Sequence, residues 1–374
     1  MNPVRVAFVL EQSLGHVTYA RNLREQVDTD PEFTAVWLPI DPHQPLAELR
    51  WLPKLRDNWS ARASIGARLA LRSTGVLTTV DALFFHTQVT SLCAVHPLRH
   101  IGGIISLDAT PKNYDTVGLD YNHQPGHSLV EHVKDAINRR AFRAATRLVT
   151  WSEWARKSLI EDYGIVPERV VAIPPGTLLN LWNVGKRWRQ RGGKRRLLFV
   201  GGDFTRKGGN LLIDVFREHF SDRCELDIVT KERPASLPEG AHLHLDLESN
   251  SPKLRALFAD ADLFVLPTRA DCLAVVLMEA TAAALPIITT TVGALPEAVH
   301  NGETGLLIPP NDGRALAQAL AALVDDDDRR ERFGQAGRML AERAFDARRN
   351  AERMLALLRQ ISAESGRRRH GRTE

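Results

Sequence analysis

One stretch limits the fold more than any other: LFVLPTRADCLAVVLMEATAAALPIITTTVGALPEAVHNGETGLLIPP, from Leu263 to Pro310. It opens on the apolar run Leu263–Leu266, the length of a buried strand. Pro267 and Thr268 close that run, and a loop follows with one acid, Asp271, expected to be exposed. Ala274–Ala284 is apolar and rich in helix formers, with Glu279 its single acid, and Pro286 stands where the chain must leave the helix. Ile287–Thr291 is β-branched and reads as the next strand, and Gly293, Pro296, Gly302 and Gly305 mark the turns beyond it. The order strand, loop, helix, strand is one parallel unit. It points a helix N-terminus at the end of a sheet.

Unpaired N–H groups and the helix dipole make such an N-terminus an anion site. Asp271 just ahead of it and Glu279 two turns in are unsuited to touching a phosphate, but suited to accepting hydrogen bonds from sugar hydroxyls. The plainer alternative has Asp271 capping the helix and Glu279 facing water. An acid inside an otherwise apolar helix argues against the solvated face.

These residues resemble the nucleotide-sugar site of the family-4 retaining glycosyltransferases of the GT-B fold. That family carries two Glu separated by seven residues, then Ala, a small helix, Pro, a β run, Gly-Gly-x-Pro-Glu and Thr-Gly-Leu-Leu. This chain has Asp271, then Glu279-Ala280, then Gly293-Ala294-Leu295-Pro296-Glu297 and Thr304-Gly305-Leu306-Leu307. Asp271 stands for the first Glu, one methylene shorter, and Cys272-Leu273-Ala274 for Gly-Phe-Gly. The resemblance implies an α/β fold of two doubly wound, Rossmann-like domains facing across a cleft. It also implies that Glu279 holds ribose hydroxyls and Asp271 the transferred sugar, so that affinity for bare nucleotide depends on Glu279 and not on Asp271.

Composition fits such a chain. Of 374 residues 44% are hydrophobic and 25% charged, the usual mix for a globular protein of two domains. A net charge of +4 suits anionic substrates or a membrane surface and is too small to argue for nucleic acid. Cys93, Cys224 and Cys272 are far apart and lack metal spacing, so neither a disulfide framework nor a zinc site is expected. No signal peptide opens the chain and no uncharged apolar run reaches the ~18 residues a membrane span needs, so a cytoplasmic setting is expected, with possible contact to the inner face of the membrane.

Along the chain, Val4–Leu10 reads as a first strand and Val17–Val27 as a helix, with Gly15 in the loop between them. GxGxxG is absent, which removes the main support for a nicotinamide site; in the resembling family a glycine placed like Gly15 lies against the donor diphosphate. Residues 50–72 mix Trp51, Leu52, Leu55, Trp59, Ile65 and Leu69 with basic residues. This is a peripheral-membrane helix or a surface helix packed on its own domain. Val80–His86 and Ile104–Leu107 are strands that end at His86 and Asp108. By resemblance His86 lies near the reacting sugar, and Asp108 stands where a mechanistically important His usually falls. A carboxylate there accepts from a sugar hydroxyl or stabilises positive charge, unless it is only a turn residue. His123 and His127 are loop candidates for acceptor binding.

Leu197–Val200 opens the second half, and the loop GGDFTRKGGN after it lacks Walker spacing but sets Arg206 and Lys207 before a helix. Arg-Lys-Gly matches the resembling family closely, while Gly202 replaces an Arg found there. Asp260-Ala261-Asp262 has the look of a metal motif, but it precedes a buried strand, and ligands of open parallel sheets gather at strand exits. The expected domains are 1–178 for the acceptor, with a helix at 347–362 packed back on it, a basic linker at 179–196, a nucleotide-sugar domain at 197–346, and a disordered basic tail at 363–374.

The activity implied is retaining transfer from a nucleoside-diphosphate sugar to a glycan, lipid-linked or small-molecule acceptor. It needs no cofactor and no metal. Asp108, Arg206, Lys207 and Asp271 are the catalytic candidates. Gly15, His86, Gly202, Leu273, Ala274, Val275 and Glu279 are the substrate-binding ones, with the amides near Ala274–Val275 and the cations of the Arg-Lys loop receiving the departing diphosphate. A nucleotide-sugar epimerase of the same fold and a non-catalytic nucleotide-sugar binder are the alternatives.

Overall fold

The computed structural model describes residues 3–13, 15–49, 51, 56–121, 126, 128–185, 193–245 and 247–370, leaving aside the side chains of 119–120 and 367–370. The described strands form two six-stranded sheets. The first holds β1 (Val4–Glu11), β2 (Phe33–Ile40), β3 (Ala82–His86), β4 (Gly103–Leu107), β5 (Arg147–Thr150) and β6 (Val170–Ala172), in the order β2-β1-β3-β4-β5-β6. The second holds β7 (Arg195–Val200), β8 (Cys224–Thr230), β9 (Ala241–Leu245), β10 (Leu263–Leu266), β11 (Ile287–Thr290) and β12 (Gly305–Ile308), in the order β12-β11-β10-β7-β8-β9. Every described pairing is parallel. Parallel strands joined by crossover helices are covered on both faces, which is why the central strands read as unbroken apolar runs. Val6–Val9 and Phe264–Leu266 are fully buried.

The chain divides into two compact units, one of Met1–Asn113, Pro125–Pro174 and Arg348–Glu374, the other of Tyr114–Gln124 and Pro175–Ala347. In the first unit the helix Trp59–Ser73 starts at Asn58, whose side chain accepts from the Ala61 amide. Its Ala63, Ala67 and Leu71 lie in the core, with Trp59 and Ala70 packed against it. Of the apolar residues that the sequence offered to a membrane, Trp59 packs against this core, and Ile65 and Leu69 are half-buried. Trp51 remains 77% exposed, while Arg50 and 52–55 lie outside the described residues.

The last helix, Ala347–His370, belongs to the first unit. Arg359 pairs with Asp30 at 3.0 Å and Glu32 at 2.6 Å, and Ser365 Oγ donates to the Ile101 carbonyl at 2.6 Å. Those anchors carry the helix past 363, where a disordered tail was expected; 371–374 lie outside the described residues. The expected linker is likewise partly folded. Trp182 is fully buried against Phe258 in the second unit and its indole N–H donates to Asn250 Oδ1 at 3.0 Å. Lys186, Arg187, Arg189 and Arg191 are not among the described residues.

Both strand orders reverse direction once, β1 against β3 in the first sheet and β7 against β10 in the second. Ligands of open α/β sheets bind outside the strand C-termini at such a switch point.

Candidate functional site

In the second unit the switch-point loops follow β7 and β10. Gly208 has φ +81°, and a Cβ there would lie 2.0 Å from the Pro267 carbonyl oxygen, so only glycine lets the two loops touch. The Arg206 carbonyl accepts from the Arg269 amide at 2.9 Å and from Thr268 Oγ1 at 3.2 Å, and Thr290 Oγ1 holds the Thr268 carbonyl at 2.8 Å. Arg206 is aimed by three contacts: Nε to Asp203 Oδ2 at 2.9 Å, Nη1 to the Ala270 carbonyl at 2.9 Å, and Nη1 to Tyr121 Oη at 3.1 Å, with the tyrosine ring 4.3 Å from the guanidinium carbon. Burial pulls this guanidinium down, but Tyr121, Asp271 and Asp203 outweigh it and its pKa stands above the ordinary value. Lys207 Nζ donates to Asp271 Oδ2.

Asp271 is therefore buried, 6% exposed, and not the exposed loop acid that the sequence suggested. Its carboxylate leaves water because Lys207, from the neighbouring strand's loop, neutralises it. Gly293, at φ +54°, presses its backbone on the Asp271 carbonyl, where a Cβ would come within 2.2 Å. The helix after this loop is Val275–Ala282, with Ala274 as its N-cap and no side-chain hydrogen bond at that cap. That cap supplies no side-chain acceptor to the first-turn N–H groups, and the Leu277 amide donates to the Ala274 carbonyl at 3.0 Å. Leu273, Ala274 and Val275 have buried side chains, so they present backbone only. Glu279, 5% exposed in this buried helix, receives no hydrogen bond or ion pair from the described residues, and burial pushes its carboxyl up to about 7. A buried carboxylate without a partner is the signature of a site that expects a donor. Gly202 is exposed, and a Cβ there would come no closer than 3.7 Å to Lys231.

The first unit gathers a second polar cluster at its own switch point. His86 ends β3, Asp108 follows β4, and His16 starts the helix His16–Val27 directly after Gly15, its N-cap. His86 Nδ1 lies 3.2 Å from the Ser106 carbonyl and its Nε2 2.8 Å from His16 Nδ1. Glu11, at the end of β1, accepts from Ser13 Oγ and from Thr87 Oγ1, the latter at 2.5 Å. Trp151 stacks on His86 at 5.1 Å, and Tyr19 packs against both. Burial drives His86 far below the ordinary imidazole value, helped by His16 and opposed by the Ser106 carbonyl. Burial, with Glu11 beside it, raises Asp108 against the pull of His16.

The structure thus brings Arg206, Lys207, Asp271 and Glu279 to one switch point, and Gly15, His86 and Asp108 to the other. His123 and His127 lie outside the described residues. Sequence reasoning missed Glu11, Ser13, His16, Asp203, Thr87 and Tyr121. An acid closing an apolar strand was the available signal for Glu11; Tyr121 offered none. Asp262 accepts from the Arg196 amide at 2.9 Å at the entry of β10, which makes it strand punctuation. Among the described residues no three His, Cys, Asp or Glu are placed to hold a metal ion.

Residues 194–326 match the family described as glycosyl transferases group 1. The match lies within the second unit and takes in the loops after β7 and β10 and Glu279. A D-inositol 3-phosphate glycosyltransferase of Arthrobacter sp. (strain FB24) is 29% identical over 226 residues, 54% of this chain and 53% of the relative, so the chain spans about half the length of the curated relatives it matches. Sucrose-phosphate synthase from Thermosynechococcus elongatus superposes with a TM-score of 0.76 at 18% identity, over 96% of this chain and all of that one. HepE of Anabaena, solved in complex with UDP-glucose, superposes at 0.68 with 14% identity, over 95% and 99%. These structural likenesses show the fold, the two-domain Rossmann-like α/β architecture of the GT-B glycosyltransferases.

Proposed function

We propose that this chain is a retaining, metal-independent glycosyltransferase that moves a sugar from a nucleoside-diphosphate sugar to a hydroxyl of a glycan, lipid-linked or small-molecule acceptor. The observation that carries the reading is Arg206, a buried guanidinium aimed by Asp203, Ala270 and Tyr121 at the switch point of the second unit, beside a helix N-terminus without a side-chain cap. A fixed cation and first-turn amides there stabilise the charge of a departing diphosphate without reorganising. Lys207, paired with Asp271, stands beside it, and the reading assigns the diphosphate charge to Arg206 and the amides, without a metal. Glu279, buried and unpartnered among the described residues, accepts from the ribose, and Asp271 from the transferred sugar. The matched relatives, which are named as sugar transferases, and HepE with its UDP-glucose make uridine nucleotides the first donors to try. Retention rests on the resemblance of the acid pair, with the leaving phosphate deprotonating the acceptor on the face it departs from. Contact with a membrane surface is assigned to residues 50–72, where Trp51 is 77% exposed; among the described residues no helix is long and apolar enough to cross a membrane.

The test is a panel of nucleoside-diphosphate sugars with mixed glycan and lipid acceptors. Nucleotide release and the anomeric configuration of the product are followed by NMR, with and without a chelator. Inverted product would overturn retention, and activity lost to the chelator and restored by Mg²⁺ or Mn²⁺ would overturn metal independence. Failure of every donor to bind would overturn the whole reading.

A further inference from the structure

We propose that Lys231, from the loop after β8, is a further phosphate-binding residue of the second unit. The inference deepens the proposed function and rests on it for the ligand, a nucleoside diphosphate.

Two successive glycines after β7 place this lysine. A Cβ at Gly201 would lie 2.9 Å from both Cβ and Cγ of Lys207, so the Lys207 stem runs over bare Gly201 backbone. A Cβ at Gly202 would lie 3.7 Å from Lys231 Cδ, 3.9 Å from its Cγ and 4.0 Å from its Cε. The Lys231 stem thus lies along Gly202, and its ammonium ends one bond further on. The loops after β7 and β8 are tied together around this contact. The Gly201 amide donates to the Val229 carbonyl at 2.9 Å, Thr230 Oγ1 to the Gly202 carbonyl at 3.4 Å, and the Phe204 amide to Glu232 Oε2 at 3.3 Å. Lys231 stands between Thr230 and Glu232, so both of its chain neighbours are anchored to the loop that its stem covers. In the sheet, β7 lies between β10 and β8. A ligand seated on the loop after β7 therefore has the loop of Asp271 on one side and the loop of Lys231 on the other.

Charge gives Lys231 its role. Arg206 donates to Asp203 and Lys207 to Asp271, so each of these two cations already faces an acid. The two pairs cancel in net charge, whereas a diphosphate brings several negative charges to the same loop. Glu232, the acid next to Lys231, is engaged with the Phe204 amide. Lys231 itself is exposed and has no hydrogen bond or ion pair among the described residues. An ammonium offers three donors and no acceptor, a point charge suited to phosphate oxygens. A uracil base and a ribose are neutral, so the phosphates are the part of the ligand that this charge selects. An arginine introduced at position 202 would start from the backbone that Lys231 covers and bring its charge to the same region.

Calorimetry of the full chain with UDP, uridine and inorganic pyrophosphate tests this. Lys231→Met keeps the stem and removes the charge. It should weaken UDP and pyrophosphate binding roughly tenfold and leave uridine affinity unchanged. The loss should shrink as salt is raised, because the ammonium is exposed. Lys231→Arg should bind UDP as the parent does, and Gly202→Arg added to Lys231→Met should restore what the single variant loses. Equal UDP affinity in the parent and Lys231→Met would overturn the assignment. So would an equal loss for UDP and uridine, which would put the contact on the nucleoside. Pyrophosphate binding that depends on Lys231, in a chain that does not bind UDP, would support the phosphate site and overturn the donor reading. A parent chain that binds neither probe would overturn both.

Discussion

Lys207 donates a hydrogen bond to Asp271 across 64 residues of chain, with 13% and 8% of the two side chains exposed. They meet because β7 and β10 lie side by side. Removing one partner of such a pair leaves a buried charge. Lys207→Met should therefore destabilise the chain by about 3 kcal/mol, and adding Asp271→Leu should recover most of it. Urea unfolding of the two variants checks this; equal stability of the single and double variants would refute it. The pair also couples two roles that the sequence kept apart. Asp271→Asn releases Lys207 toward the diphosphate, so affinity for bare UDP should rise while transfer slows. Calorimetry against turnover separates these effects.

Arg206→Ala should weaken UDP binding by roughly 1.5–3 kcal/mol, the worth of a charge-assisted hydrogen bond. Tyr121→Phe keeps the ring over the guanidinium and loses only the 3.1 Å contact, so its effect should be smaller. Unchanged UDP affinity in Arg206→Ala would remove the diphosphate assignment.

Two glycines of the same loop should respond oppositely. Gly202 has ordinary room for a Cβ, 3.7 Å from Lys231, so Gly202→Arg should fold and tighten UDP binding by adding a cation at the loop. Gly208→Ala forces a positive φ and a 2.0 Å clash with Pro267, so it should pull the two loops apart and abolish UDP binding. Thermal melts with and without UDP report both. Normal UDP binding in Gly208→Ala would show that the loop contact is dispensable.

The sequence revealed the central strands because parallel strands covered on both faces leave unbroken apolar runs. It was silent where the sheets end. Phe33–Ile40, Ala241–Leu245 and Gly305–Ile308 all form sheet edges. The first contains Pro39, which an edge tolerates, the second alternates His with apolar residues, and the third is four residues after a turn. The placing of Arg206 and Lys207 in a loop before a helix, and of Glu279 inside an apolar helix, was legible in the local pattern. The burial of Asp271 was not, since it depends on a lysine from another strand. His16 and Glu11 sit close together in the chain, yet His16 acquires meaning only from His86, 70 residues on.

Glu279 gives a pH signature. Its carboxyl stands at about 7 in the folded chain against an ordinary 4.5, because burial disfavours the charged form. Between those values the native state holds a proton that the unfolded chain has released. Its contribution is therefore fully present below the unfolded value and is lost as pH rises toward 7 and above. Glu279→Gln cannot ionise. It should be more stable than the parent by about 3 kcal/mol at pH 8, with the difference vanishing near pH 4. Ribose hydroxyls that donate to Glu279 favour the carboxylate, so UDP binding near pH 6 should release a proton, and affinity should rise with pH through the same window. Calorimetry in two buffers of different ionisation enthalpy reads that proton directly. Glu279→Gln should bind UDP more weakly with no proton release. If the parent chain binds UDP at pH 6 without releasing a proton, Glu279 does not contact the ribose.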